Sequence, residues 1–148
     1  MIQDYFSLNE IFCPEVVKHY GEFAWNFLDV RLSITLEAIR MRLNKVIYVN
    51  DYAVHGKMTQ RGFRCVQCQL MKDVYKSGEL FTDPHALGKA MDFSVEGLVA
   101  EEVRQYIIKN RNLWPYPIRL ENSVNWVHLD LYNNNYNDKV IFFEKPNK

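Results

Sequence analysis

Two stretches of the chain alternate between apolar and polar residues with the period of a half-buried β-strand. The first spans 89–95, and its apolar positions are Met91, Phe93 and Val95. The second begins at Val124, and its apolar positions are Val127, Leu129 and Leu131. If the two strands are neighbours whose apolar faces share one core, Asp92 and His128 lie together on the opposite face.

Other segments repeat apolar residues every three or four positions, which is typical of amphipathic helices. The range 21–43 predicts one long helix that stops at Asn44, with a stripe of Phe23, Phe27, Val30, Ile34, Leu36, Ile39 and Leu43. The range 98–112 predicts a second helix with Val103 and Ile107 inward and Arg104 outward. Near the start, Ser7 and Glu10 have the spacing of a capping box, and Pro14 is suited to begin another helix.

The remaining pattern completes one domain over 1–148, because neither a repeat nor a linker is visible. Short runs of β-forming residues predict strands at 45–50, 118–121 and 140–143, the last of them at a sheet edge. The range 71–80 predicts a short helical segment ending at Ser77-Gly78. A polar loop, 52–62, lies between these elements, and we expect His55 in it to be exposed.

Composition narrows the classes of function. The chain has 148 residues, with 18 basic and 18 acidic side chains and no net charge. This balance argues against a protein that binds the nucleic-acid backbone or an anionic membrane surface. Neither a run of the ~20 apolar residues that a membrane span needs nor a signal peptide is visible. We therefore expect a monomer that is cytoplasmic or phage-encoded.

The three cysteines are an odd number, and they lie at Cys13, Cys65 and Cys68. Cys65-Val-Gln-Cys68 has the spacing of half a zinc knuckle, but a structural site needs four ligands. Cys13 together with His19 or His55 would complete one in principle. The interpretation we favour is that the three are reduced, partly buried thiols.

A candidate catalytic metal site follows from the two alternating strands. His85 stands in the loop before the first strand, between Pro84 and Gly88, where it can fold back over the polar face. Two imidazoles and one carboxylate on an open face are a suitable ligand set for a catalytic zinc, with water in the fourth position. The predicted ligands are His85, Asp92 and His128.

These residues also resemble a known family. His85-x-x-Gly88-x-Ala90-x-Asp92, followed by Trp126-x-His128, is similar to the zinc D-alanyl-D-alanine carboxypeptidase family, whose fold is shared with the hedgehog signalling domain. Upstream, Arg61-Gly-Phe-Arg64 resembles the family's Ser-Gly-Tyr-Arg segment. The likeness covers roughly residues 5–132. It implies an α+β fold, with a small antiparallel sheet and helices packed on one face.

The resemblance implies a zinc-dependent peptidase that hydrolyses peptidoglycan peptide bonds at D-alanyl residues. A carboxylate would accept a proton from the attacking water. Many family members carry an acidic residue three positions before the last histidine, where this chain has Asn125. Glu121 is the favoured substitute, and Asp130 is a second candidate that could instead orient His128.

Three further assignments stay open at this point. Arg64 would hold a substrate carboxylate or an oxyanion, or else form a surface salt bridge. Asp83 would accept the second ring N–H of His85, or simply form a turn before Pro84. The whole chain would alternatively be a zinc-containing module that binds a peptide or protein without cleaving it, such as a phage structural component.

Overall fold

The computed structural model of the chain describes residues 1–78 and 83–144. Within these residues the chain forms five α-helices, several short 3-10 turns and five strands. The helices are α1 (Leu8–Ile11), α2 (Pro14–Tyr20), α3 (Val30–Leu43), α4 (Gln69–Ser77) and α5 (Ala100–Lys109). The strands are β1 (Ile47–Tyr48), β2 (Ala90–Val95), β3 (Ile118–Glu121), β4 (Val127–Asp130) and β5 (Val140–Phe143). The fold class is therefore α+β, as predicted.

The five strands form one mixed sheet in the order β1-β2-β4-β3-β5. All pairs are antiparallel except β3 and β5, which are parallel, so the prediction of an antiparallel sheet is wrong at this edge. The chain reverses after β4 and passes beyond β3 before it forms β5. Because β3 already runs opposite to β4, the reversed strand runs parallel to β3.

The predicted helix over 21–43 is wrong in its first third. A 3-10 helix occupies Gly21–Phe27, and Leu28 is extended with φ −84° and ψ 137°. Asp29 then caps α3, because its Oδ1 accepts the backbone N–H of Arg31 at 2.9 Å. Asn44 ends α3 in the left-handed conformation, which confirms the predicted stop.

The buried faces of the helices also differ in part from the predicted stripes. In α3 the core side chains include Leu32 in addition to the predicted Leu36 and Ile39, whereas Phe23, Val30 and Ile34 are exposed. The break before Asp29 uncouples Phe23 from the α3 face. In α5, Val103 and Ile107 are in the core as predicted.

Arg104 was predicted to point outward and is instead buried. Its guanidinium donates to the carbonyl oxygens of Trp126 at 3.0 Å and Val124 at 3.2 Å. These carbonyls belong to the turn before β4, and the long side chain of Arg104 reaches from α5 to satisfy them. Arg104 thereby fixes the approach to the strand that carries His128.

Several local predictions are confirmed. Ser7 donates its backbone N–H to Glu10 Oε2 at 2.8 Å in a capping box, and Pro14 is the first residue of α2. The predicted strands 118–121 and 140–143 match β3 and β5, and β5 is the edge strand. The segment predicted at 71–80 ends at Ser77-Gly78, although its last two residues lie outside the described ranges. In the described part of the chain, every helix is too short or too polar to cross a bilayer.

Candidate metal centre

Asp92 and His128 lie directly opposite each other on the two central strands. They are register partners in the antiparallel pair β2–β4. Side chains at directly opposed positions share one face of a sheet. His128 Nδ1 lies 2.6 Å from Asp92 Oδ1, which confirms that the two alternating patterns bring these residues together.

The loop before β2 brings His85 to the same place. Gly88 has φ +65°, and a Cβ there would lie 2.0 Å from the carbonyl oxygen of Phe27, so glycine is needed at this position. Gly88 in turn accepts the backbone N–H of Asp29 at 3.0 Å. This close packing folds the loop so that His85 Nε2 lies 3.3 Å from His128 Nδ1 and 3.5 Å from Asp92 Oδ2.

These spacings fit a tetrahedral zinc ion. With Zn–N and Zn–O bonds of about 2.0–2.1 Å, neighbouring ligand atoms in a tetrahedron are about 3.3 Å apart. The two distances from His85 Nε2 are close to that value, and the ligand atoms of His85, Asp92 and His128 all lie within 4.8 Å of one another. The predicted ligand set is thus assembled, with three protein donors for one divalent ion.

Hydrogen bonds behind the two histidines select which ring nitrogen can bind a metal. His85 Nδ1 lies 2.9 Å from the carbonyl oxygen of Gly62, which can only accept. We therefore assign the proton of neutral His85 to Nδ1, leaving the lone pair of Nε2 directed at the centre. His128 Nε2 lies 3.3 Å from Asp130 Oδ2, so His128 presents Nδ1 in the same way.

Asp130 is fully buried and is fixed by Arg119, whose Nε and Nη2 each donate to a different carboxylate oxygen at 2.9 Å. Bidentate pairs of this kind fix the orientation of a carboxylate. Asp130 contacts His128 on the side of the ring away from Asp92. Of its two predicted roles, this geometry favours orienting His128 over general-base catalysis.

Arg64 contacts Asp92, one of the three predicted ligands. Its Nη2 donates to Asp92 Oδ2 at 3.0 Å, its Nη1 to Asp83 Oδ2 at 3.2 Å, and its Nε to the carbonyl oxygen of Gln60 at 2.6 Å. Arg64 does form salt bridges, with Asp83 and Asp92, but its side chain is buried. The prediction of a salt bridge at the surface is therefore wrong. Its contacts position Asp92.

Asp83 does not accept the ring N–H of His85, and that prediction is wrong. The ring nitrogen is already bonded to Gly62. Asp83 Oδ1 instead accepts the backbone N–H of His85 at 2.8 Å, which stabilises the turn at Pro84. Asp83 therefore fixes the backbone of the first ligand and leaves the imidazole to the carbonyl of Gly62.

Glu121 is buried at the end of β3, the neighbour of β4. Leu120 pairs with Leu129, and continuing this register by one residue sets Glu121 opposite His128 and on the same face. Asn125 is exposed in the turn before β4. Glu121 is therefore the better placed of the two to serve the site.

The environment shifts the pKa values of the predicted ligands in opposite directions. Burial lowers the pKa of His85 below its usual range, so this ring is neutral. For His128, burial opposes the charged form, but hydrogen bonds to Asp130 and Asp92 outweigh it and raise its pKa to about 9. Burial of Asp92 is likewise outweighed by the hydrogen bond from protonated His128, which lowers the pKa of Asp92. In the metal-free protein His128 is therefore protonated at neutral pH, and its positive charge pairs with Asp92 and Asp130.

The face that carries the site is more covered than the sequence predicted. His85, Asp92 and His128 are 1%, 7% and 2% exposed. The Phe143 ring packs edge-on against His128 at a centroid distance of 5.7 Å, and Arg64 covers Asp92. A surface pocket of about 320 Å³ is lined by Arg64, which contacts Asp92, and by Ala86, which follows His85, but none of the three ligands lines it.

A second group of possible ligands lies in the N-terminal half of the chain. Cys13, Glu15, Cys65 and Cys68 place their ligand atoms within 4.8 Å of one another. The three cysteines are free thiols, with Cys13 and Cys68 buried, as predicted. A hydrogen bond from Cys68 lowers the pKa of the Cys13 thiol to about 6. The sequence suggested a histidine as the partner of the thiols, but His19 and His55 are exposed and Glu15 takes that place.

Comparisons of the chain with protein-family models, curated proteins and solved structures find no match. The resemblance to zinc peptidases therefore rests on the sequence motifs alone.

Proposed function

We propose that this chain is a zinc-dependent peptidase that hydrolyses peptide bonds of peptidoglycan, at D-alanyl residues. The observation that carries the proposal is the convergence of His85, Asp92 and His128, in which His85 Nε2 lies 3.3 Å from His128 Nδ1 and 3.5 Å from Asp92 Oδ2. Three protein ligands leave a fourth position for water or substrate, which distinguishes catalytic zinc sites from structural ones. The substrate class comes from the resemblance of these motifs to the D-alanyl-D-alanine carboxypeptidases.

Zinc in such a site would supply Lewis acidity. It would polarise the scissile carbonyl and lower the pKa of water, so that hydroxide is available as the nucleophile at neutral pH. His85, Asp92 and His128 hold the ion. Glu121, opposite His128 in the strand register, accepts the proton of the attacking water on a carboxylate oxygen and returns it to the leaving amine. The open pocket beside Arg64 receives the peptide.

Digestion of purified cell walls tests this function. Zinc-loaded protein should release new amino groups from walls of at least one chemotype, and His128→Ala should release none. His55→Ala is the matched control, because His55 is exposed in a loop far along the chain from the ligands. Walls that stay intact with zinc-loaded protein across several chemotypes would end the peptidase proposal.

A second candidate function is a zinc-containing module that binds a peptide or protein without cleaving it, for example as a component of a phage particle. The near-complete burial of the three ligands and the amide at Asn125 favour it. Measurable affinity for wall peptides, with no new amines and with one zinc held by His85, would select this alternative. In either role we propose that the protein acts as a monomer on wall material to which another component delivers it.

A further inference from the structure

Three cysteines from two distant parts of the chain meet beside the N-terminal helices. Phe12 and Phe63 form a parallel bridge, in which the backbone N–H of Phe63 donates to the carbonyl oxygen of Ile11 at 2.8 Å. Cys13 directly follows one side of this bridge, and Cys65 lies two residues beyond the other. The backbone pairing therefore sets these two thiols side by side.

A tight turn adds the third thiol. The backbone N–H of Cys68 donates to the carbonyl oxygen of Cys65 at 3.0 Å, and Cys68 is the N-cap of α4. The turn folds the Cys-x-x-Cys segment back on itself, so the two sulfur atoms are 3.9 Å apart. This is nearly twice the ~2.05 Å of a disulfide bond. It is close to the edge of about 3.8 Å expected between two sulfur atoms on one tetrahedral zinc with Zn–S bonds of about 2.3 Å.

A carboxylate completes the set. Glu15, in the first turn of α2, places an oxygen within 4.8 Å of all three sulfur atoms. Glu15, Cys13 and Cys68 also line a surface pocket of about 170 Å³, so an ion can reach the thiols from solvent. Thiolates select zinc over magnesium and calcium, and a carboxylate is an accepted fourth zinc ligand.

We propose that Cys13, Cys65, Cys68 and Glu15 form a second zinc site, structural in character, separate from the site of His85, Asp92 and His128. Four protein ligands leave no position for substrate, so this ion crosslinks the chain. It joins the segment at Cys13 to the segment that contains Gly62 and Arg64. The carbonyl oxygen of Gly62 contacts the ring of His85, and Arg64 donates to Asp92. Zinc at the thiol site therefore stabilises the segment that orients two ligands of the histidine site.

Zinc content and cobalt spectra of the full-length protein test the proposal. We expect two zinc ions per chain in the wild type, one in Cys65→Ala and one in His85→Ala. Cobalt-loaded wild type and His85→Ala should both show the intense near-ultraviolet charge-transfer band of thiolate-bound cobalt, and Cys65→Ala should lose it. Glu15→Gln should keep the band but hold zinc more weakly, by about tenfold or more in the dissociation constant.

Thiol labelling of the unmutated protein keeps the test decisive if Cys65→Ala fails to fold. The zinc-loaded wild type should protect all three thiols from a thiol reagent, and a chelator should make them reactive. One zinc per chain that is lost only in His85→Ala, or cobalt without a thiolate band, would overturn the second site while leaving the first intact. A Cys65–Cys68 disulfide in protein purified with zinc and reductant would overturn it as well.

Discussion

Arg64 Nη2 lies 3.0 Å from Asp92 Oδ2, so the arginine grips one of the three predicted metal ligands. The pair is buried, and a second carboxylate, Asp83, shares the same guanidinium. This contact orients Asp92 before any ion arrives.

Removing the guanidinium should therefore weaken zinc binding. We expect Arg64→Ala to raise the dissociation constant for zinc at the histidine site by about 10–100-fold, as loss of a group that orients a ligand commonly does. Competition with a chromophoric chelator measures it, in a Cys65→Ala background that removes thiol-bound zinc. Arg111→Ala is the control, because the exposed Arg111 bonds to Asp138 and to the carbonyl oxygen of Ile108, and neither belongs to a proposed metal site. Equal affinities for the two variants would refute the positioning role.

Gly88 tests whether the loop that carries His85 depends on close packing. Gly88→Ala should lower the free energy of unfolding by about 2–5 kcal/mol, because a left-handed φ and a Cβ clash with Phe27 combine. Gly78→Ala is the matched control: its φ is +71° and, among the described residues, none comes within 4 Å of the added Cβ, so only about 1–2 kcal/mol is expected. Denaturant unfolding compares the two. Equal losses would show that the contact with Phe27 does not hold the loop.

Protonated His128 should stabilise the metal-free protein in a defined pH window. Its pKa is raised from 6.5 to about 9 on folding, so its contribution is complete below pH 6.5 and is lost as pH rises through 9. The difference in unfolding free energy between wild type and His128→Gln should shrink by up to about 3 kcal/mol across that window. Groups that do not interact with His128 cancel in the comparison. A difference that is flat or grows with pH would contradict the paired state of His128 with Asp92 and Asp130.

Glu121 is proposed to move the proton, so its loss should affect turnover and leave the metal in place. Glu121→Gln should reduce kcat on cell-wall peptides by about 10²–10⁴-fold with an unchanged zinc content. Asn125→Asp, which places a carboxylate three residues before His128, should change kcat little if Glu121 does this work. A large gain from Asn125→Asp combined with full activity of Glu121→Gln would move the general base to the turn before β4.

The sequence predicts the two central strands well, because alternate residues of a strand lie on opposite faces. Once one face is identified as apolar, the residues of the other face are fixed. That is why the alternation predicts Asp92 and His128 on one face once the two strands are taken as neighbours, which the register of β2 with β4 confirms. The break in the helix at Leu28-Asp29 is harder to predict. Aspartate occurs on the exposed faces of helices as well as at their N-caps, so Asp29 alone does not mark a helix start. The carbonyl oxygen of Gly62, which orients His85, belongs to the backbone, so no residue type in the sequence indicates this contact. The meeting of Cys13 with Cys65 depends on a backbone bridge between segments about fifty residues apart.

The most direct test of the account is anomalous diffraction at the zinc edge from crystals of the zinc-loaded protein. We predict a peak about 2.0–2.2 Å from His85 Nε2, His128 Nδ1 and a carboxylate oxygen of Asp92. An anomalous map with no density among these three side chains, in crystals grown with excess zinc, would contradict it.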